Sequence, residues 1–219
     1  MTLELKKRII TSVFLLALLC LMYFFSFILI ISVIIISIIS WIEFNGLIFK
    51  IFKKNKNKDK LLKFFYKAIS LIYFSILIYL VLLIKSQKPD FEIFIIFSIL
   101  ISVMSDIGGL VVGKTFKGKK LTKISPNKTI SGSIGSFIFS LFLIPIFLEH
   151  LINYDLLTLS IITLIVSLTS QMGDLLISFL KRKAKVKNTS DLLPGHGGIL
   201  DRIDGIIFAI PIGFLLLIN

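Results

Sequence analysis

The chain has 219 residues, with 25 lysines and arginines against 12 aspartates and glutamates, and 56% of it is apolar. That share leaves too little polar surface to clothe a soluble domain of this length, which excludes an ordinary water-soluble enzyme. The net charge of +13 lies in short blocks between apolar runs, a pattern that argues for a membrane protein and against nucleic-acid binding.

Lys6, Lys7 and Arg8 precede an uncharged apolar run, Ile9–Ile42. The run is too long for a signal-peptide core and lacks a small-residue cleavage site, so cleavage is not expected. As one helix it would measure roughly 50 Å against a hydrocarbon core of about 30 Å. Two short crossings with a bend near Tyr23–Ser26 are therefore expected, with Trp41 at the interface. Cys20, the only cysteine, excludes an intrachain disulfide, and its apolar setting argues against reactivity or metal binding. Further spans are expected at Phe64–Ile84, Phe91–Val112, Ile130–Leu148, Leu156–Leu180 and Leu200–Ile218. The expected fold is an all-α, polytopic transmembrane helical bundle of about seven spans. It forms a single membrane domain, with N-terminal spans and a basic loop in 1–104 and catalytic spans and loops in 105–219.

A cytoplasmic N-terminus places every lysine and arginine except Lys85 and Lys88 on the cytoplasmic side, as the positive-inside rule requires. The basic run Lys50–Lys63 reads as a solvated topogenic loop that also attracts anionic lipid. No repeat points to an inverted-repeat transporter.

Ionisable residues at membrane depth are costly and mark functional positions. Asp174 stands near the end of the sixth expected span. Asp201 and Asp204 stand in the opening turns of the seventh, spaced to share one helix face. Three carboxylates from neighbouring helices would repel one another without a cation, and hard oxygen ligands suit Mg²⁺. Helix capping is the alternative for Asp201 and Asp204; Asp174 and the basic loop between the helices favour the ligand reading. That loop carries Lys181 and Arg182, then Pro194-Gly195-His196-Gly197-Gly198, then Arg202. Glycines let backbone amides approach phosphate, and the cations add fixed positive charge. His196 reads equally as a solvated loop histidine. Metal, cationic clamp and glycine loop together suit phosphoryl or nucleotidyl transfer. A second basic loop follows Asp106, with Lys114, Ser125, Pro126, Lys128 and Thr129 leading to a helix start at Ser131-Gly132.

Ser178-Phe179-Leu180-Lys181-Arg182, Lys187-Asn188 and Pro194-Gly195-His196-Gly197-Gly198-Ile199-Leu200-Asp201-Arg202-Ile203-Asp204 resemble the signature of the phosphatidate cytidylyltransferase (CDP-diacylglycerol synthase) family. Asp106, Gly113, Lys114, Ser125, Pro126, Lys128 and Thr129 extend the resemblance over roughly residues 105–205. Upstream, only Trp41-Ile42-Glu43 is similar. Asn188 stands where the family has Asp and brings no charge. Ser131 stands where the family has Glu, and Lys117-Gly118 inverts the family order.

The resemblance implies transfer of CMP from CTP to phosphatidate at a bacterial inner (plasma) membrane, with the active site facing the cytoplasm. It implies Mg²⁺, with a monovalent cation such as K⁺ nearby. Asp174, Asp201 and Asp204 are the expected metal ligands and, with Lys181, Arg182, His196 and Arg202, the expected catalytic set. Asp106, Lys114, Ser125, Lys128, Thr129, Ser178, Gly197 and Gly198 are the expected substrate-binding set. CTP, phosphatidate and membrane lipid are the expected partners, with a homodimer allowed and no nucleic acid. The same chemistry on an isoprenoid or ether-lipid phosphate is an alternative; a non-catalytic membrane transporter or lipid-binding protein is an alternative of another class.

Overall fold

A computed structural model describes residues 3–53, 57–87, 92–122, 125–151 and 154–218. Lys54, Lys56, Lys88, Lys123 and the expected span start at Phe91 lie outside the described residues. Among the described residues the chain is all-helical: α1 (Leu3–Phe24), α2 (Ser26–Ile51), α3 (Asn57–Gln87), α4 (Glu92–Phe116), α5 (Ile130–Leu141), α6 (Ile144–Phe147), α7 (Leu156–Lys183), α8 (Leu200–Ile203) and α9 (Ile206–Ile218). The β-type pairing described is confined to two isolated bridges, Lys120 with Thr129 and Leu193 with Gly197.

Five stretches are long and apolar enough to cross a membrane: Phe27–Ile51, Asn57–Leu83, Glu92–Phe116, Ile130–Phe147 and Leu156–Lys183. The chain is thus an all-helical membrane protein. Val13–Met22 and Ile206–Ile218 are apolar but shorter, which accounts for the difference from the expected count of about seven. The first apolar run breaks at Phe25, a single extended residue with φ −122° and ψ 103°, inside the expected bend. Beyond it α2 continues past Trp41 to Ile51, so Trp41 lies within the helix rather than at its end.

The last apolar run differs from expectation. It is interrupted at Asp204-Gly205, between α8 and α9. The Asp204 Oδ1 accepts from the Gly205 amide at 3.1 Å, a local bond that competes with helix continuation. Asp201 and Asp204 therefore do not share a face of one continuous helix.

The chain packs as two compact units. The first comprises Met1–Gln87 and Leu180–Ile203, and the second Lys88–Phe179 and Asp204–Asn219. In the first, α2 packs on α3. The Trp41 indole donates to the Lys67 carbonyl at 3.4 Å, and the Lys67 ammonium lies 5.6 Å from the Trp41 ring centre.

The second unit is held by close backbone approach and buried hydroxyls. A Cβ on Gly108 would stand 2.4 Å from the Gly135 carbonyl oxygen, so α4 and α5 meet backbone to backbone. Ser102, Ser105, Ser140 and Ser167 are fully buried. Ser102 and Ser170 bond at 2.7 Å, Ser167 donates to Ser105 at 3.1 Å, and Ser136 donates to the Ser105 carbonyl at 2.6 Å. In an apolar surround these bonds link α4, α5 and α7 where greasy side chains confer no preference for one helix neighbour over another.

Candidate active site

In the second unit, α4 carries Ser105, Asp106, Gly109, Gly113 and Lys114 along one side, at spacings that repeat with the helical turn. The following loop returns to α5 through paired backbone: Leu121 donates to the Lys128 carbonyl at 2.8 Å, and Ile130 donates to the Lys119 carbonyl at 3.0 Å. Thr129 then starts α5, its hydroxyl accepting from the Gly132 amide at 3.1 Å. Ser131, in the position of the family's Glu, bonds its hydroxyl to the Lys117 carbonyl and lies 3.0 Å from the Thr129 hydroxyl.

These elements and α7 enclose a cavity of about 500 Å³. Six expected residues line it: Asp106, Lys114, Ser125, Lys128, Thr129 and Asp174. Asp174 is ion-paired with Lys128 and accepts from the Ser178 hydroxyl at 3.2 Å. The charges of Asp106, Asp174 and Lys128 act on one another across this space. The wall also holds residues that sequence reasoning missed. Ser133 donates to the Gln171 side-chain oxygen at 2.6 Å, and both border the cavity. The signal for Gln171 was present as polar positions at helical spacing, Ser167, Gln171, Asp174 and Ser178, along one side of α7.

Asp204, also in the second unit, is buried, and its carbonyl oxygen stands 2.6 Å from where a Cβ on Gly173 would lie, beside Asp174. Among the described residues no three His, Cys, Asp or Glu side chains are gathered as metal ligands. The cavity does offer two carboxylates and the Gln171 amide group. Such hard oxygen donors, with room left for water, fit a cation such as Mg²⁺.

The first unit holds the glycine-bearing loop. Leu193 and Gly197 pair at both ends of a tight turn, with Gly195 at φ 77° and Gly197 at φ 86°, left-handed conformations that suit glycine. Arg202 donates through Nε to the His196 carbonyl at 3.1 Å, which fastens the turn to α8. Arg182 and Arg202 are exposed.

Asp201 is engaged on both oxygens. Lys181 donates to Oδ1 at 2.7 Å. The Thr189 and Gly198 amides donate to Oδ2 at 2.8 and 3.0 Å, and the Thr189 hydroxyl oxygen lies 3.0 Å from it. Burial alone would push its carboxyl up, but the hydrogen bonds from Lys181, Thr189 and Gly198 outweigh it and hold the carboxyl below the ordinary value. Thr189 was missed in the sequence, and Glu43 was noted there only within Trp41-Ile42-Glu43, without a role. Glu43 sits in α2, is 5% exposed, and accepts from Thr189, Ser190, Ile199 and Leu200.

Residues 3–218 match the cytidylyltransferase family. A protein of Staphylococcus saprophyticus named phosphatidate cytidylyltransferase is 40% identical over 129 residues, covering 58% of this chain and 49% of that protein. Proteins of the same name from Bacillus subtilis and Rickettsia prowazekii are each 40% identical, over 126 and 158 residues. The match covers 47% of the Bacillus protein and 68% of the Rickettsia one, so the chain spans about half the length of the first two relatives. With nearly its whole length matched, and with the motif residues Asp106, Lys114, Ser125, Lys128, Thr129 and Asp174 gathered on one cavity, the chain belongs to the cytidylyltransferase family.

Proposed function

We propose that the chain transfers CMP from CTP to phosphatidate, giving CDP-diacylglycerol and pyrophosphate. The observation that carries this reading is the second-unit cavity, which joins carboxylates, lysines and the start of α5. The names of the relatives support the choice of substrates.

The lipid phosphate is already an anionic oxygen nucleophile, so no side chain need deprotonate it. Its oxygen forms a bond to the α-phosphorus of CTP, the bond from that phosphorus to the bridging oxygen breaks, and pyrophosphate leaves with the electron pair. The task of the protein is to bring two polyanions together and offset their charge. Lys114 and Lys128 supply positive charge at the cavity, and the start of α5, bordering it at Thr129, Gly132 and Ser133, favours an anion. Asp174 holds Lys128 in place, and Ser178 orients Asp174. Asp174, with Asp106 on the same cavity, is assigned to a divalent cation, Mg²⁺ by its oxygen donors, with K⁺ as a second cation. When bound, the divalent ion would neutralise charge growing on the transferring phosphoryl group. Arg182 and Arg202 are assigned to phosphate binding, and Asp201 with Lys181 to holding the glycine-bearing loop.

Purified protein in lipid nanodiscs should release pyrophosphate only when CTP, phosphatidate and Mg²⁺ are all present. Binding of both substrates without pyrophosphate release would reject the enzyme reading. We further assign the protein to a bacterial inner membrane, with N-terminus and active site in the cytoplasm, on the distribution of basic residues and the bacterial relatives. Reporters fused after Lys60 or Lys120 should then report cytoplasm, and one fused after Lys88 the opposite side. The same signal at all three positions would overturn that orientation.

A further inference from the structure

We propose that Glu43, in the membrane helix α2, is a positioning residue that fixes the 189–200 loop through its carboxylate; its catalytic consequence rests on the cytidylyl transfer proposed above. A carboxylate inside an apolar helix is costly unless its lone pairs are filled. Those of Glu43 are filled by one short segment. Oε1 accepts from the Ser190 hydroxyl at 2.6 Å and the Ile199 amide at 3.1 Å. Oε2 accepts from the Thr189 hydroxyl at 2.8 Å and the Leu200 amide at 2.8 Å. An ionised carboxylate has about four acceptor positions, so four donors satisfy it without a cation.

The donors come from both ends of the loop. Thr189 and Ser190 precede the Leu193–Gly197 turn, while Ile199 and Leu200 follow it and start α8. Glu43 therefore closes the loop at its base. Two further observations agree. A Cβ on Gly198 would stand 2.0 Å from the Thr189 hydroxyl oxygen and 2.5 and 2.7 Å from the two Glu43 oxygens, so a side chain there would displace this hydrogen-bonded pair. The Thr189 backbone amide donates to Asp201, which bonds Lys181, so the anchor extends to the ion pair beyond it. The loop carries His196 and leads into Asp201 and Arg202, and a shift of its base would displace all three.

Glu43→Gln tests this because it preserves size while replacing one acceptor oxygen by an amino group that faces two donors. Two readouts are taken in nanodiscs: hydrogen exchange at the Ile199 and Leu200 amides, and CTP-dependent pyrophosphate release. Exchange at those amides should rise by about tenfold or more, with α4 and α5 unchanged as the control for folding. The kcat should fall by about 100-fold, the scale of a small misplacement of catalytic groups, with the KM for CTP moving less than about threefold. Ser190→Ala, a loop change that removes one donor and leaves the membrane helix untouched, should shift both readouts in the same direction by less. Unchanged exchange in both variants would overturn the tether. Faster exchange with normal kcat would overturn the positioning role. Absence of pyrophosphate release by the wild-type protein would instead reject the proposed function, and the exchange arm would still decide whether Glu43 tethers the loop.

Discussion

The two units treat their carboxylates in opposite ways. In the first, Glu43 and Asp201 have donors on both oxygens, and those donors are the amides and hydroxyls of one loop, with Lys181 added at Asp201. In the second, Asp106 and Asp174 border a cavity of about 500 Å³, and among the described residues Asp174 is bonded by Lys128 and Ser178. A carboxylate whose lone pairs are filled by the chain itself builds structure. One that faces an open space lined by both carboxylates and lysines keeps capacity for a ligand. Sequence spacing alone puts Asp174, Asp201 and Asp204 in one class; their hydrogen bonds divide them.

The largest expected effect tests the open side. Asp174→Asn removes the charge that holds Lys128 and faces the cavity. Pyrophosphate release should fall by on the order of a thousandfold, the scale of losing one preorganised electrostatic contact, and its dependence on Mg²⁺ concentration should shift. Near-normal turnover with unchanged Mg²⁺ dependence would remove Asp174 from the ligand-facing class.

Asp201→Asn tests the saturated side. It leaves Lys181, with its side chain 16% exposed, without its charge partner, which should destabilise the loop by about 3 kcal/mol, read by hydrogen exchange at Gly198 and Thr189. Activity should follow loop order, and the Mg²⁺ concentration for half-maximal activity should stay where it is. A large shift in Mg²⁺ dependence would restore Asp201 to the metal-binding class. The pH dependence carries a sign. The folded-state carboxyl of Asp201 is held below its ordinary value, burial notwithstanding, by the bonds from Lys181, Thr189 and Gly198. Its contribution to stability is therefore fully present above the unfolded value of about 3.9 and is lost as pH falls through the lower folded value. Loop exchange in the wild type should accelerate at acid pH below about 4, and Asp201→Asn should lose that step.

Much of this was legible in the chain, for reasons that differ by residue. The long apolar runs announce the helices, and the length of Ile9–Ile42 alone forces the break found at Phe25. Asp106 and Asp174 stood out because charge at membrane depth is costly, and Lys114 and Lys128 because they lie in the basic loop that follows Asp106. Gln171 and Ser133 did not, because neutral polar residues inside apolar helices have a local alternative in bonding their own backbone, as Thr163 does to the Leu159 carbonyl at 2.7 Å. The break at Asp204-Gly205 was hidden by the apolar stretch that resumes at once after it. The role of Glu43, noted in the sequence only within Trp41-Ile42-Glu43, was hidden by distance: its partners lie 146 to 157 positions further along the chain, and no local pattern connects them.

The smallest expected effect concerns what holds the open side open. The first unit stiffens its loop with hydrogen bonds to carboxylates, whereas the second sets its cavity wall by bringing α4 and α5 together at their glycines. A Cβ on Gly135 would stand 2.4 Å from the Val112 Cβ and 2.7 Å from the Gly108 carbonyl oxygen. Neither neighbour is the far end of a flexible side chain, so the added methyl group must push the helices apart. Overpacking of this kind costs about 1–3 kcal/mol, partly offset by the better helix propensity of alanine, about 1 kcal/mol over glycine. Gly135→Ala should thus lower the thermal midpoint of the detergent-solubilised protein modestly. The displaced α5 carries Gly132 and Ser133 on the cavity wall, so the KM for CTP should rise more than kcat falls. Hydrogen exchange at Ile199 and Leu200 in the first unit should not change. A variant that loosens those amides while leaving the KM for CTP intact would show that the glycine contact does not set the cavity, and the contrast between the two units would lose its structural basis.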